Sequence, residues 1–200
     1  MIYQEIEGDL IELALAGSFD VIAHGCNCFC TMKAGIAPQI AEVFGCDRFN
    51  KESLQYKGDI NKLGTIDFEY FAKLADYEYH SVHEIDHEFK ENHLVVVNCY
   101  IQFMYGKNHT DGVSKPLDYE ALTLCLRKIN HIFKGKHIGM PRIGCGLAGG
   151  VWDLDAYSLK ESESLRIATQ LRSNGFKDVK TIIQEELKDC KVTIVKFKLK

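Results

Sequence analysis

Residues 24–37, HGCNCFCTMKAGIA, and residues 140–153, MPRIGCGLAGGVWD, decide how this chain is read. Each follows a short apolar run and leads into a segment with helix-like spacing. Glycines and other small residues at a strand-to-helix junction let the backbone turn sharply and aim its N–H groups at an anion. Two such loops, far apart in sequence, predict a diphosphate cradle at the carboxyl edge of a sheet. Neither loop has the spacing of a P-loop or of a dinucleotide fingerprint, so the ligand is held in another way.

Working outward, residues 1–6 and 19–23 read as strands flanking a short helical segment at 10–16. Ile36, Ile40, Val43 and Phe44 recur at helical spacing, so a helix begins inside the first loop with its N-terminus toward the ligand. Residues 93–100, HLVVVNCY, are the continuous apolar run of a central strand. Leu122, Leu126, Ile129 and Phe133 mark one face of a helix over 117–133, and residues 136–141 lead into the second loop. Beyond it, 154–174 reads as a helix ended by Gly175, 179–187 as another, and 191–199 as a closing strand with Lys196 and Lys198 on its outer face. This alternation predicts a layered α/β domain with helices on both faces of the sheet.

Residues 47–92 are polar, with one strand-like run at 64–71 and the stretch YEYHSVHEIDHEF at 77–89. His83 and His87, with His80 nearby, have the spacing of metal ligands on a helix. No apolar face anchors a rigid site there, so the stretch reads as an exposed insertion or hairpin.

With 46% hydrophobic and 26% charged residues among 200, the composition is that of a soluble folded protein. A net charge of -4 disfavours a general nucleic-acid coat, with residues 188–200 the one basic patch suited to a strand. No stretch is long and apolar enough to span a bilayer, and MIYQEIEGDL lacks the regions of a secretory signal, so the expected location is cytoplasmic. The eight cysteines are then expected as free thiols. Cys26, Cys28 and Cys30 beside His24 lack zinc-ligand spacing and a second ligand pair, and neither metal nor cofactor is expected.

Four segments in order, GDL at 8–10, HGCN at 24–27, KAGIA at 33–37 and MPRIGCGLAGG at 140–150, resemble the macro domain, the ADP-ribose-binding family, over nearly the whole chain. The resemblance is nearest to the branch holding ADP-ribose 1''-phosphate phosphatases and terminal ADP-ribose protein glycohydrolases. It implies a three-layer α/β/α sandwich with a central mixed sheet, one macro domain over residues 1–200 with a polar insertion around 47–92. Asp9 would accept a hydrogen bond from the adenine amino group, with Leu10 beside it. Asn27 would meet the distal ribose, its amide offering donor and acceptor to vicinal hydroxyls. Lys33, Ala34, Gly35, Ile36 and Ala37 would form the first diphosphate loop. Ile143, Gly144, Cys145, Gly146, Leu147, Ala148, Gly149, Gly150 and Val151 would form the second.

His24 matches a histidine of the phosphatase branch within an HxCNC segment, and with Asn27 it is the expected catalytic pair, the imidazole moving a proton. Two departures bear on the activity. The glycohydrolases that share MPRIGCGL use a lysine near the position of Gln102 and an aspartate where Ala148 stands, so lysine attack on the ribose has no nucleophile here. Asp153, the carboxylate nearest the second loop, reads as a helix N-cap. The resemblance therefore implies a hydrolase acting on ADP-ribose 1''-phosphate or a related ADP-ribosyl compound, without a cofactor. Two alternatives stay open: a non-catalytic module that reads or sequesters ADP-ribose, and an enzyme that removes ADP-ribose from protein or nucleic acid. The expected partner is ADP-ribose, ADP-ribose 1''-phosphate or an ADP-ribosylated macromolecule, and not a membrane.

Overall fold

A computed structural model describes residues 2–48, 57–73, 79–81, 93–105, 116–158, 169 and 172–197, with backbone alone for 72–73, 79–81 and 157–158. The elements are β1 (Ile2–Gly8), α1 (Leu10–Leu15), β2 (Val21–Asn27), α2 (Ala37–Phe44), β3 (Ile66–Lys73), β4 (Tyr79–Ser81), β5 (His93–Gln102), α3 (Tyr119–Ile132), β6 (His137–Met140), α4 (Leu154–Ser158), α5 (Val179–Glu186) and β7 (Lys191–Phe197). The strands form one sheet in the order β1-β7-β6-β2-β5-β3-β4. The first five in that order are parallel, β3 runs antiparallel to β5, and β4 runs antiparallel to β3. The parallel strands therefore all end on one edge, at Gly8, Phe197, Met140, Asn27 and Gln102.

Side chains alternate across each strand, which divides the core in two. On one face Val21, Ala23, Val95, Val97, Ile138 and Ile194 pack against Leu122, Leu126 and Ile129 of α3 and Val179 and Ile183 of α5. On the other, Ile22, Val96 and Val195 pack against Leu10 and Ala14 of α1 and Ile40 and Phe44 of α2. The result is the three-layer α/β/α sandwich with a mixed central sheet. Helix α3 shows how the sequence specifies its part. Asp118 caps it by accepting from Ala121 N at 2.8 Å, and Leu122, Leu126 and Ile129 then recur on the buried face. Burial of each such side chain contributes about 1.5–3 kcal/mol.

Several boundaries differ from the sequence reading. Residues 19–20 precede β2: Phe19 packs edge-on against His137 at 5.0 Å and fills the space that Gly139 leaves, where a Cβ would stand 2.6 Å from its ring. β2 runs past Ala23 to its end in HGCN, because residues 24–27 continue the ladder with β5. β7 is not a sheet edge but lies between β1 and β6, which places Lys196 on the wall of a cleft instead of an outer face. Lys198, His83 and His87 lie outside the described residues, and of His80 only the backbone, in β4, is described. The helix read over 154–174 is described at 154–158 and again only near Gly175, which takes a φ of +73°. No helix among the described residues is long and apolar enough to cross a membrane. All eight cysteines are free.

Candidate functional site

β2 continues into α2 on one face of the sheet, whereas its neighbour β5 continues into α3 on the other. Chains departing to opposite sides open a crevice at the carboxyl ends of the strands. Here the crevice is a cavity of about 1030 Å³. Lys33, Ala34, Gly35, Ile36 and Ala37 of the first loop line it, as do Ile143, Gly144, Cys145, Gly146, Leu147, Ala148 and Gly150 of the second. Leu10 and Asn27 also line it; Asp9, His24, Gly149 and Val151 do not.

The first loop delivers a bare helix end. Gly35 takes a φ of +63° with open space around an added Cβ, so the backbone angle is what calls for glycine. α2 then starts with a proline in its first turn and no side-chain cap. Asp9, Asp118 and Asp178 cap α1, α3 and α5, so their first-turn N–H groups are engaged. At the N-terminus of α2, Pro38 carries no N–H and Gln39 N donates to the Ile36 carbonyl at 3.1 Å, so Ala37 N and the partial positive charge of the helix end are what the cavity receives.

The second loop is held rather than loose. Gly150 N donates to the Gly144 carbonyl at 2.9 Å, and Val151 N donates to the Tyr119 hydroxyl at 2.8 Å. A Cβ on Gly150 would overlap Leu117 and stand 2.9 Å from the Gly144 oxygen, so close packing requires glycine there.

Asn27 is 6% exposed, and its amide is engaged within the first loop. Oδ1 accepts from Phe29 N at 3.0 Å and Thr31 N at 3.3 Å, while Nδ2 donates to Thr31 Oγ1 at 2.8 Å. These bonds brace a turn in which Cys30 takes a φ of +55°. The expected catalytic role of Asn27 gives way to a positioning one.

His24 is corrected more sharply. Strand register sets it opposite Asn98, on the face that carries Ile22, and its side chain is fully enclosed. Burial pushes its pKa down to about 4 against the upward effect of Asn98. The ring faces the core beneath α2 rather than the cavity, so it is not placed to act on a ligand.

Asp9 caps α1, its Oδ1 accepting from Ile11 N at 2.8 Å and Glu12 N at 3.0 Å. Its neighbours Gly8 and Leu10 line the cavity, and Oδ2 has no partner among the described residues. Asp153 caps α4 through Asp155 N at 2.9 Å and pairs with Lys180 at 3.0 Å, as a structural cap would.

The sequence reading missed several lining residues. Arg142 pairs with Glu5 of β1 at 3.0 Å and lies over the Trp152 ring at 5.0 Å. Partial burial opposes ionisation of Glu5, yet the bonds from Arg142 and Tyr3 hold its carboxyl below the usual range. Phe197, 62% exposed, ends β7 in register with Gly8. Gln102, the last residue of β5, and Tyr105 beyond it continue the wall. Arg142 and Trp152 lay inside a motif already singled out; Phe197 carried no local signal, because its neighbours come from the other end of the chain.

Among the described residues no imidazole and no carboxylate lines the cavity. Burial raises the thiol of Cys26 well above its ordinary value and that of Cys145 to about 12, so both are neutral. No group of three or more His, Cys, Asp or Glu among the described residues could hold a metal ion. The described lining offers backbone N–H groups, amides, aromatic faces and the cations Lys33, Arg142 and Lys196, a set suited to holding an anionic nucleotide.

No protein-family model matches the chain. It is 35% identical over 170 residues to an uncharacterized 17.5 kDa protein of the tk-vs intergenic region of Enterobacteria phage T4, spanning 80% of this chain and 92% of that protein. A Bacteroides thetaiotaomicron protein of unknown function has a similar structure, with a TM-score of 0.57, 23% identity and 98% of each chain covered. Thermosipho africanus DarTG in complex with ADP-ribose matches with a TM-score of 0.57 at 14% identity, over 100% of this chain and 42% of that one. At these identities the two structures share a fold with the chain.

Proposed function

From its membership in one family with the 17.5 kDa protein of phage T4, and from its macrodomain fold, we propose that the chain binds ADP-ribose in the cleft at the carboxyl edge of its sheet. The carrying observation is that the uncapped N-terminus of α2 and the braced second loop line one cavity, where N–H groups from both can hold a diphosphate. At the β7 side, Phe197 gives adenine an exposed ring to stack on, with Gly8 and Leu10 of the neighbouring turn lining the same end of the cleft. At the β2 and β5 side, Asn27 and Gln102 stand where the distal ribose would lie. The shared fold with a protein seen in complex with ADP-ribose supports the ligand.

Hydrolysis of ADP-ribose 1''-phosphate, the finer expectation, rested on His24. With that ring enclosed, the described lining holds no group suited to proton transfer at neutral pH, and recognition becomes the first reading. Calorimetry with ADP-ribose tests it: one molecule should bind per chain, and no binding would sink the reading. Release of phosphate from ADP-ribose 1''-phosphate with turnover would reverse the order of recognition and hydrolysis.

A further inference from the structure

Beyond the place of the distal ribose, the cavity wall turns aromatic. Tyr105 lines the cavity and is 60% exposed. Phe29 braces it edge-on with centroids 6.0 Å apart, and Phe103 braces Phe29 at 5.6 Å. Phe29 is closed in from behind by Gly58, where a Cβ would stand 2.7 Å from its ring. Strand order sets this platform at β5 and Phe197 at β7, three inter-strand steps or about 14 Å apart. The two diphosphate loops follow the strands between them. The cleft thus has a flat apolar face at each end and anion-binding groups in the middle.

A ligand that ends in a sugar uses only one of these faces, because hydroxyls are met by amides and a flat ring by another flat ring. We propose that the cleft takes a dinucleotide whose distal ribose carries a pyridinium ring, the chemistry of NAD+, with that ring stacked on Tyr105. This rests on the ADP-ribose reading, since the ADP-ribose half positions the ring. The cavity volume sits at the upper end of small-molecule sites, as a whole dinucleotide requires. The electron-rich face of Tyr105 suits a cationic ring. Gln102 donates from Nε2 to the Met104 carbonyl at 3.1 Å, and its Oε1 has no partner among the described residues, leaving an acceptor for a carboxamide. A net charge of -4 argues against the other source of a flat ring, a base within a nucleic-acid strand.

Calorimetry with NAD+ and with ADP-ribose, on the wild type, Tyr105→Leu and Tyr105→Phe, tests the proposal. NAD+ should bind about 10-fold tighter than ADP-ribose, in the range of one aromatic stack. Tyr105→Leu should bring the two affinities together by weakening NAD+ alone, with unfolding temperature unchanged, and Tyr105→Phe should restore the gap. Equal or weaker binding of NAD+ by the wild type, or a preference that survives Tyr105→Leu, overturns the inference and leaves the ADP-ribose reading standing. A wild type that binds neither compound overturns both.

Discussion

His24 Nε2 donates to Asn98 Oδ1 at 2.7 Å, and Asn98 Nδ2 donates in turn to the Cys46 carbonyl at 2.8 Å. Because Asn98 gives its NH₂ to a carbonyl, its oxygen is the acceptor, and Nε2 of a neutral imidazole carries the proton. The chain of bonds ties β2 to β5 and both to the turn after α2. It supports the first loop from below without entering the cleft.

Stability should therefore depend on pH through His24. Its folded pKa of about 4 lies below the unfolded value near 6.5, so between these values the unfolded chain binds the extra proton. Stability is then fully present above pH 6.5 and is lost as pH falls toward 4, by roughly 3 kcal/mol. Urea unfolding of the wild type and His24→Gln at pH 7.5 and 4.5 measures this. The variant should be less stable at pH 7.5 but flatter between the two pH values; equal slopes would remove His24 as the cause. ADP-ribose affinity of the folded variant at pH 7.5 should stay near that of the wild type.

His24 also shows where the sequence was and was not legible. The strands and α3 were readable because apolar spacing reports local periodicity, and Leu122, Leu126, Ile129 and Phe133 are all buried as that spacing requires. The two loops were readable because glycine answers a backbone demand at its own position. His24 stands at the strand end as the sequence suggests, but alternation sends residues 22, 24 and 26 to one face and 25 and 27 to the other, which turns its ring into the core. The placement of Phe197 and Lys196 depends on β7 inserting between β1 and β6, a long-range pairing with no local trace.

Glycines in the second loop should respond to substitution according to space. Gly150→Ala forces a Cβ into Leu117 and toward the Gly144 oxygen, and overpacking of this kind costs about 1–3 kcal/mol. Gly146→Ala meets nothing within 4 Å. Thermal unfolding and ADP-ribose titration should show both properties impaired in Gly150→Ala, with stability nearly unchanged in Gly146→Ala. Equal stability losses would mean that the loop is not held as described.

Tyr119→Phe removes the acceptor of Val151 N and little else, because the ring keeps its edge-on contact with Phe176 at 4.5 Å. An unpaired backbone N–H at a half-buried site costs about 1–3 kcal/mol. The second loop should loosen, seen as faster amide exchange at residues 149–151 in hydrogen–deuterium exchange and as weaker ADP-ribose binding. Unchanged exchange would show that the hydroxyl does not hold the loop.

Phe197 separates binding from folding most cleanly. Its ring is largely outside the core, so Phe197→Ala should leave the unfolding temperature close to that of the wild type. One base–aromatic stack is worth about 1–3 kcal/mol, which predicts a loss of roughly 10-fold or more in ADP-ribose affinity. Phe197→Tyr keeps the stacking face and should keep the affinity. Competition distinguishes the end of the ligand involved: AMP, which carries the base, should lose affinity in the same proportion, while ribose 5-phosphate should compete equally well against both forms. If Phe197→Ala bound AMP as the wild type does, adenine would have to lie elsewhere, and the orientation of ADP-ribose across the sheet edge would have to be reversed.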